Sequence, residues 1–279
     1  ALIMLLFPTS FFFVAVYTES VFLLLALGAC MLLEQKCWLW VAFTLMLASA
    51  TRIVGVVLTP AMLIGLLSQQ VAAGASLRVT PKKAIVAVLS GALGLLSYML
   101  YLWREFGDPL YFFSVQSDFG GDRQESLVLL PQVIWRYMKM LATADPTRFS
   151  YYAAVQEFVI NMLVFFILIM ATGVFLQKLL VSRVSGLLSR VLAVFDTRLL
   201  SQLYVPSSWL VYSWGVFLIP TLTGTFSSMP RYVIVIFPLY VWIAQLLSGK
   251  HSLLLLLFLI SAIVLFINVV LFTQGYWVA

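Results

Sequence analysis

Apolar residues run together along most of this chain, without the regular polar interruptions of a helix that has one face in water. Five long stretches stand out, at about 10–33, 83–104, 153–177, 203–224 and 253–272, and a shorter uninterrupted one covers 232–248. Each is near the ~20 residues that a helix needs to cross a bilayer. Residues 38–68 are too few for two ideal spans and too many for one. Arg52 sits near their middle, just after Ser49-Ala50-Thr51, so the pattern predicts two short helices meeting at Thr51-Arg52. The fold class expected is all-α: a polytopic membrane helix bundle of about eight crossings. With no internal repeat, 1–279 reads as a single transmembrane domain. Residues 1–7 are apolar from the first position and end at Pro8, like the last turns of a span begun upstream. The chain is therefore expected to be N-terminally truncated, and with no basic segment ahead of residues 1–7 a signal peptide is not expected.

The polar breaks carry the orientation. Lys36, then Arg78, Lys82 and Lys83, then Lys178, Arg183, Arg190 and Arg198, then Lys250 beside His251 fall in four breaks that alternate with the others. If the four share one side, that side holds nine basic residues against Glu34 and Asp196, and the other seven against eight. The positive-inside rule makes the first side cytoplasmic, so 70–83, 178–200 and 249–252 are expected inside. The outer side receives 105–152, the largest extramembrane piece. It carries turn signals at Phe106-Gly-Asp-Pro-Leu110 and Asp118-Phe-Gly-Gly-Asp122. From Pro131 it predicts an interfacial helix, with Ile134, Met138 and Leu141 on one face and Arg136, Lys139 and Thr143 elsewhere. Segment 179–200 predicts a second amphipathic stretch, cytoplasmic, with Arg183 and Arg190 on one face.

Composition sharpens the exclusions. Hydrophobic residues make up 63% of the chain and charged ones 9%. A soluble domain is roughly a quarter charged, so a soluble enzyme, a disordered chain and a nucleic-acid-binding module are all ruled out. On one straight helix Cys30 and Cys37 would sit ~10 Å apart along the axis, beyond a disulfide's reach. His251 is the only histidine. It stands beside Lys250 without a His or Cys partner, and no Walker A, GxGxxG or metal-ligand spacing appears. No cofactor is evident, and a divalent metal stays open.

The chemistry-bearing candidates are the charges set among apolar residues. Glu19 falls within the first long stretch, where a carboxylate costs ~2.5–3.5 kcal/mol on insertion scales. Either it faces a polar cavity opening outward, or it pairs with Arg52 or the Thr51 hydroxyl to lock two helices. Arg52 holds a lipid phosphate through its forked donors or snorkels to headgroups. Arg231 follows Ser227-Ser228-Met229-Pro230 and precedes Tyr232, a setting for an anion site or for an interfacial anchor. Asp108, before Pro109, reads as a helix N-cap. Asp118 and Asp122 read as solvated loop acids.

Several of these blocks resemble the PIG-V-like mannosyltransferase family. Phe7-Pro-Thr-Ser-Phe-Phe-Phe, Tyr17-Thr-Glu-Ser-Val-Phe22, Ala48-Ser-Ala-Thr-Arg-Ile-Val-Gly55, Phe106-Gly-Asp-Pro-Leu110, Ser228-Met-Pro-Arg-Tyr232 with Phe237-Pro238, and Gly275-Tyr-Trp-Val-Ala279 follow in the family's order. The last is similar to the chain end of bacterial members. The resemblance implies the GT-C architecture and the activity of proteins related to GPI mannosyltransferase 2, with polyprenyl-phosphate mannose as donor substrate. With the forked guanidinium chemistry above, donor-phosphate binding is expected at Arg52, Arg231, Glu19 and Tyr232, with Asp108 and Thr51 as candidate loop contributors. The family's catalytic Asp belongs to a first outer loop, which would lie upstream of Ala1, so the catalytic residue is unassigned and this stretch alone is expected to be inactive.

The expected function is thus an integral-membrane glycosyltransferase working on the extracytoplasmic side. Its partners would be membrane lipids, a lipid-linked sugar donor and an unidentified glycan or lipid acceptor, with no nucleic acid. The alternative is a transporter, flippase or carrier for a lipid-linked sugar. Transporters place ionisable groups at the midplane and show inverted repeats, and neither is seen here. The absence of an Asn-x-Ser/Thr sequon and the chain end point to a bacterial inner membrane rather than the endoplasmic reticulum.

Overall fold

The computed structural model describes residues 1–72, 81–115, 127–183 and 203–278. Among them all regular structure is helical, with no strand. A short turn α1 (Leu2–Leu5) leads through a 3-10 turn, Ser10–Phe13, into α2 (Glu19–Glu34). Then come α3 (Trp38–Thr51), a 3-10 turn Ile53–Val57, α4 (Leu58–Ala72), α5 (Pro81–Phe106) and α6 (Tyr111–Ser114). The second half holds α7 (Leu130–Thr143), α8 (Phe149–Arg183), α9 (Ser207–Thr221), α10 (Met229–Val233), α11 (Phe237–Leu246) and α12 (His251–Thr273). Proline marks several of the starts, at or beside the first turn of α5, α7, α9, α10 and α11, where its missing N–H costs nothing.

Four helices are long and apolar enough to cross a membrane: Ile53–Gln70, Lys82–Phe106, Phe149–Leu179 and His251–Thr273. Their outward side chains, among them Leu93, Leu163, Phe166, Leu259 and Phe266, are exposed and apolar, a surface compatible with an integral membrane protein. The remaining apolar helices are shorter than expected. The stretch 10–33 divides, because the 3-10 turn ends at Phe13 and α2 begins only at Glu19. Glu19 is therefore not inside an apolar helix but at its first residue. The stretch 232–248 also divides, since Pro238 starts α11 afresh and leaves ten residues of helix. The expected break at Thr51-Arg52 is present: Arg52 is extended, with φ −149° and ψ 143°, between α3 and the following turn.

Cross-chain contacts define two ends of the bundle. At one end, Gln69 Nε2 donates to the Leu33 carbonyl (3.4 Å), Ser68 and Ser207 share a hydrogen bond (2.9 Å), and Lys178 Nζ donates to the Leu203 carbonyl (2.7 Å). Gln245 and Trp242 both bond the Tyr204 backbone there. Glu19, Arg52 and Arg231 meet at the other end.

Small residues set the packing between the helices. Gly55 lies so close to Ala48 that a Cβ would collide with its carbonyl oxygen, which closes the turn after α3. On α5, Gly94 meets the Met46 carbonyl and Ser49 of α3, and Gly91 meets Thr59 of α4. Backbones approach this closely only where side chains are absent, the usual device of helices packed in lipid. Helix α12 stands apart: only Asn268 is buried along it. Asn268 Nδ2 donates to the Pro8 carbonyl (2.9 Å) and Tyr152 donates to Asn268 Oδ1 (3.1 Å), a polar tether on an otherwise apolar helix.

The interfacial helix predicted from Pro131 is α7. Its buried side chains are Val133 and Tyr137; on the neighbouring face Ile134 and Leu141 are partly buried and Met138, beside Trp135, is exposed. The inward pull is the Tyr137 hydroxyl, which is hydrogen-bonded inside. Residues 179–183 of the second amphipathic segment continue α8; its remainder, with Arg190 and Arg198, lies outside the described residues, as do Arg78, Asp118 and Asp122.

Substituting Gly94→Val is expected to push α5 off α3 and to cost ~1–3 kcal/mol, the usual penalty of overpacking. Thermal unfolding of the purified protein in detergent measures this. Gly28→Val, where no atom lies within 4 Å of the new Cβ, is the matched control and is expected to leave the midpoint unchanged.

Candidate functional site

Glu19 is the focus of the site. Being the first residue of α2, its carboxylate lies near the partial positive charge of a helix N-terminus. Its side chain is wholly buried, at 0% exposure. Arg231 donates to Glu19 Oε1 through Nε (3.0 Å) and Nη2 (2.8 Å). Arg52 Nη1 lies 2.7 Å from the same oxygen as an ion pair. Glu19 Oε2 is buried without a protein partner. One carboxylate thus meets two guanidiniums, so among the described residues one positive charge of the cluster has no counter-charge.

Local backbone breaks deliver both arginines. Arg52 belongs to neither adjoining helix, so its side chain leaves the α3 surface and turns inward. Arg231 sits in the five-residue α10, entered through Ser228 in the left-handed region at φ 64°. Thr9 donates to the Pro230 carbonyl (3.0 Å) and fastens α10 to the chain ahead of α2.

Aromatic faces enclose the charges. The Arg231 guanidinium lies 4.2 Å from the Tyr17 ring centre, 4.8 Å from Phe12 and 5.5 Å from Trp277. That of Arg52 lies 4.6 Å from the Tyr232 ring. Such contacts contribute ~2 kcal/mol or more each where water is excluded. Trp277 is held in place through its neighbour, since Gln156 Nε2 donates to the Val278 carbonyl (2.9 Å). The C-terminal segment therefore forms one wall of the site.

The structure brings together four of the residues singled out in the sequence: Glu19, Arg52, Arg231 and Tyr232. Of the two pairings left open for Glu19, that with Arg52 is present. The Thr51 hydroxyl donates back to the Leu47 carbonyl of its own helix (2.5 Å) and takes no part. Asp108 stands apart as well. Its carboxylate accepts from the Ser114 hydroxyl (2.6 Å) and the Leu110 N–H (2.8 Å), which holds its pKa below the ordinary value. It closes a turn two residues ahead of Leu110, the N-cap of α6, instead of capping that helix itself. The cluster is also packed rather than open, with Arg52 9% and Arg231 16% exposed, because four aromatic rings fill the space around it.

An open cleft lies next door. It encloses about 970 Å³ between α7 and the start of α8, lined by Arg136, Tyr137, Lys139, Glu157, Thr225 and Trp277 among others. Trp277 is thus shared by the cleft and the arginine cluster. Inside the cleft, Tyr137 donates to Glu157 Oε2 (2.6 Å), shares a hydrogen bond with Thr225 (3.1 Å) and accepts from the Phe226 N–H (3.1 Å). Burial, and then the neighbouring Glu157 carboxylate, push the Tyr137 hydroxyl well above its ordinary pKa, so it remains a donor at neutral pH. Glu157 escaped the sequence reading, although its signal matched that of Glu19: a lone carboxylate in an apolar run. Among the described residues no group of three His, Cys, Asp or Glu side chains is placed to hold a metal.

Glu19→Gln leaves two buried guanidiniums without their counter-charge. Removing one partner of a buried ion pair costs ~3–5 kcal/mol. The expected result is a large fall in the unfolding midpoint in detergent, partly restored when Arg231→Met is added, because the second change removes one of the stranded charges. Unchanged midpoints in both variants would show that the ion pairs do not hold the fold. No protein-family model, curated protein or solved structure matches the chain.

Proposed function

We propose that this chain is the membrane-embedded part of a GT-C-type glycosyltransferase that transfers mannose from a polyprenyl-phosphate donor on the extracytoplasmic side. The observation that carries the proposal is the uncompensated positive charge of the Glu19–Arg52–Arg231 cluster. A phosphate leaving group gains negative charge as its bond to the sugar breaks. Preorganised cations in a water-poor site stabilise that charge more than water does.

In this reading the chain crosses the membrane about eight times, the four long apolar helices among those crossings. The lysine-bearing end is cytoplasmic and the arginine cluster outward, in a bacterial inner membrane. Arg52 and Arg231 hold the donor phosphate, Glu19 fixes their geometry, and Tyr232 and Trp277 shield them from water. The acceptor hydroxyl attacks the anomeric carbon, the carbon–oxygen bond to the phosphate breaks, and the hydroxyl proton passes to a base that remains unassigned. The order of motifs quoted above, from Phe7-Pro-Thr-Ser to Ser228-Met-Pro-Arg-Tyr232, adds support by resemblance to the PIG-V-like family.

The test is transfer of labelled mannose from a polyprenyl-phosphate donor, in membranes holding the natively expressed protein. Arg231→Lys keeps the charge and loses the fork, and Arg231→Ala loses both. Rates are expected to fall in the order Arg, Lys, Ala, with the alanine variant down ~10²–10³. Full activity in folded Arg52→Ala and Arg231→Ala variants would refute the phosphate contact.

A further inference from the structure

The open cleft beside the arginine cluster is not used by the phosphate contact, and its floor is a built turn. Gly224 opens that turn in the left-handed region, at φ 88°. Having no Cβ, it leaves room for the Arg136 guanidinium, which donates to the Gly224 carbonyl (3.4 Å). Thr225 Oγ1 then accepts the Ser227 N–H (3.1 Å), a turn closed by its own side chain. The Tyr137 hydroxyl fastens Thr225 and the Phe226 N–H to α7. Tyr137, Thr225 and Glu157 are buried and bonded to one another, so the floor keeps one shape.

The lining above this floor selects by charge and shape. Arg136 and Lys139 oppose a cation, the Glu157 carboxylate beneath opposes an anion, and all three oppose a hydrocarbon tail. A neutral molecule rich in hydroxyls suits the mixture, since each hydroxyl both donates and accepts. Serine side chains offer it partners on two sides, exposed Ser150 from α8 and half-buried Ser227 from the turn. The remaining wall is aromatic. Trp277 lines the cleft with 43% of its surface exposed, and Phe149 lies against the neighbouring Tyr276, ring centres 4.7 Å apart. An aromatic face among a few placed polar groups is the usual make-up of a small-molecule site, and the cleft has the volume of one.

We propose that this cleft is a carbohydrate site: it holds a neutral hexose ring against Trp277, with sugar hydroxyls bonded by the Lys139 ammonium, Ser150 and Ser227. Binding needs nothing from the arginine cluster; the role given to it, holding the sugar that receives the transfer, rests on the proposed function. Position supports that role. Trp277 belongs to both places, lining the cleft with its ring centre 5.5 Å from the Arg231 guanidinium. The turn at 224–227 also runs directly into Ser228 and α10, so one stretch of backbone carries the cleft floor and Arg231. A sugar in the cleft is thus one indole ring from the phosphate contact.

The experiment is saturation-transfer NMR of octyl α-mannoside with the whole chain, in a detergent that has no sugar headgroup. The wild type is expected to bind it saturably, and octyl tetraethylene glycol, which has the tail without the sugar, is expected not to displace it. Ser150→Trp fills the cleft from an exposed position and should abolish binding. Lys139→Ala should weaken it about fivefold, the loss of one hydrogen bond. Ser252→Trp, the same bulk at the exposed start of α12, should change nothing. Farnesyl phosphate binding by the same samples reads the arginine cluster and the fold, and Ser150→Trp should leave it intact. Undiminished mannoside binding in Ser150→Trp and Lys139→Ala, or equal displacement by the sugarless tail, would overturn the site. Absence of farnesyl phosphate binding in a wild type that binds mannoside would instead refute the proposed transfer and leave the cleft a sugar site with another purpose.

Discussion

A single carboxylate organises one end of this molecule. Glu19 is fully buried, yet it meets two guanidiniums across 2.7–3.0 Å. In a low-dielectric interior a charge so placed is tolerable only with its counter-charges fixed against it. That requirement reaches far along the chain, since the partners come from positions 52 and 231. The chain ahead of α2, the α3–α4 junction and α10 must therefore converge. Thr9 on Pro230, Asn268 on Pro8 and Gln156 on Val278 are the backbone ties that keep them converged.

The same requirement accounts for the irregular backbone there. A side chain on a regular helix facing lipid cannot reach an interior carboxylate. Both arginines instead sit at breaks between longer helices, Arg52 in an extended residue and Arg231 in the short α10 just past a left-handed serine. The opposite end has another character. Its packing rests on hydrogen bonds between helix ends, and its charges among the described residues are mostly lysines, with Glu34 beside them. The two ends also differ in the kind of cation: an enclosed arginine pair at one and lysines at the other.

Much of the cluster was legible because charge is costly in lipid. Glu19, Arg52 and Arg231 stood out as isolated ions, and their clustering follows from the need to offset one another. The break at Arg52 was legible for the same reason. The aromatic walls were not: Phe12, Tyr17 and Trp277 are three among many rings in an apolar chain, and nothing local distinguishes a ring that stacks on arginine from one that faces lipid. The division of 10–33 was hidden because residues 14–16, Val-Ala-Val, suit a helix, a strand or a break equally. Pro238 did signal the start of α11, but within an unbroken apolar run its effect on helix length was missed. Glu157 carried the same signal as Glu19, and the length of the run around it concealed it.

The central claim is that the cluster's spare positive charge receives a phosphate. Arg231→Ala isolates that charge, because Arg52 remains to neutralise Glu19 and the fold keeps a balanced pair. The most direct measurement is equilibrium binding of a short polyprenyl phosphate, such as farnesyl phosphate, to the purified protein in detergent. The account predicts saturable binding to the wild type that weakens with added salt, and its loss in a folded Arg231→Ala variant. Equal affinity in the two proteins would contradict it, and would leave the arginines as locks between helices with no role toward a ligand.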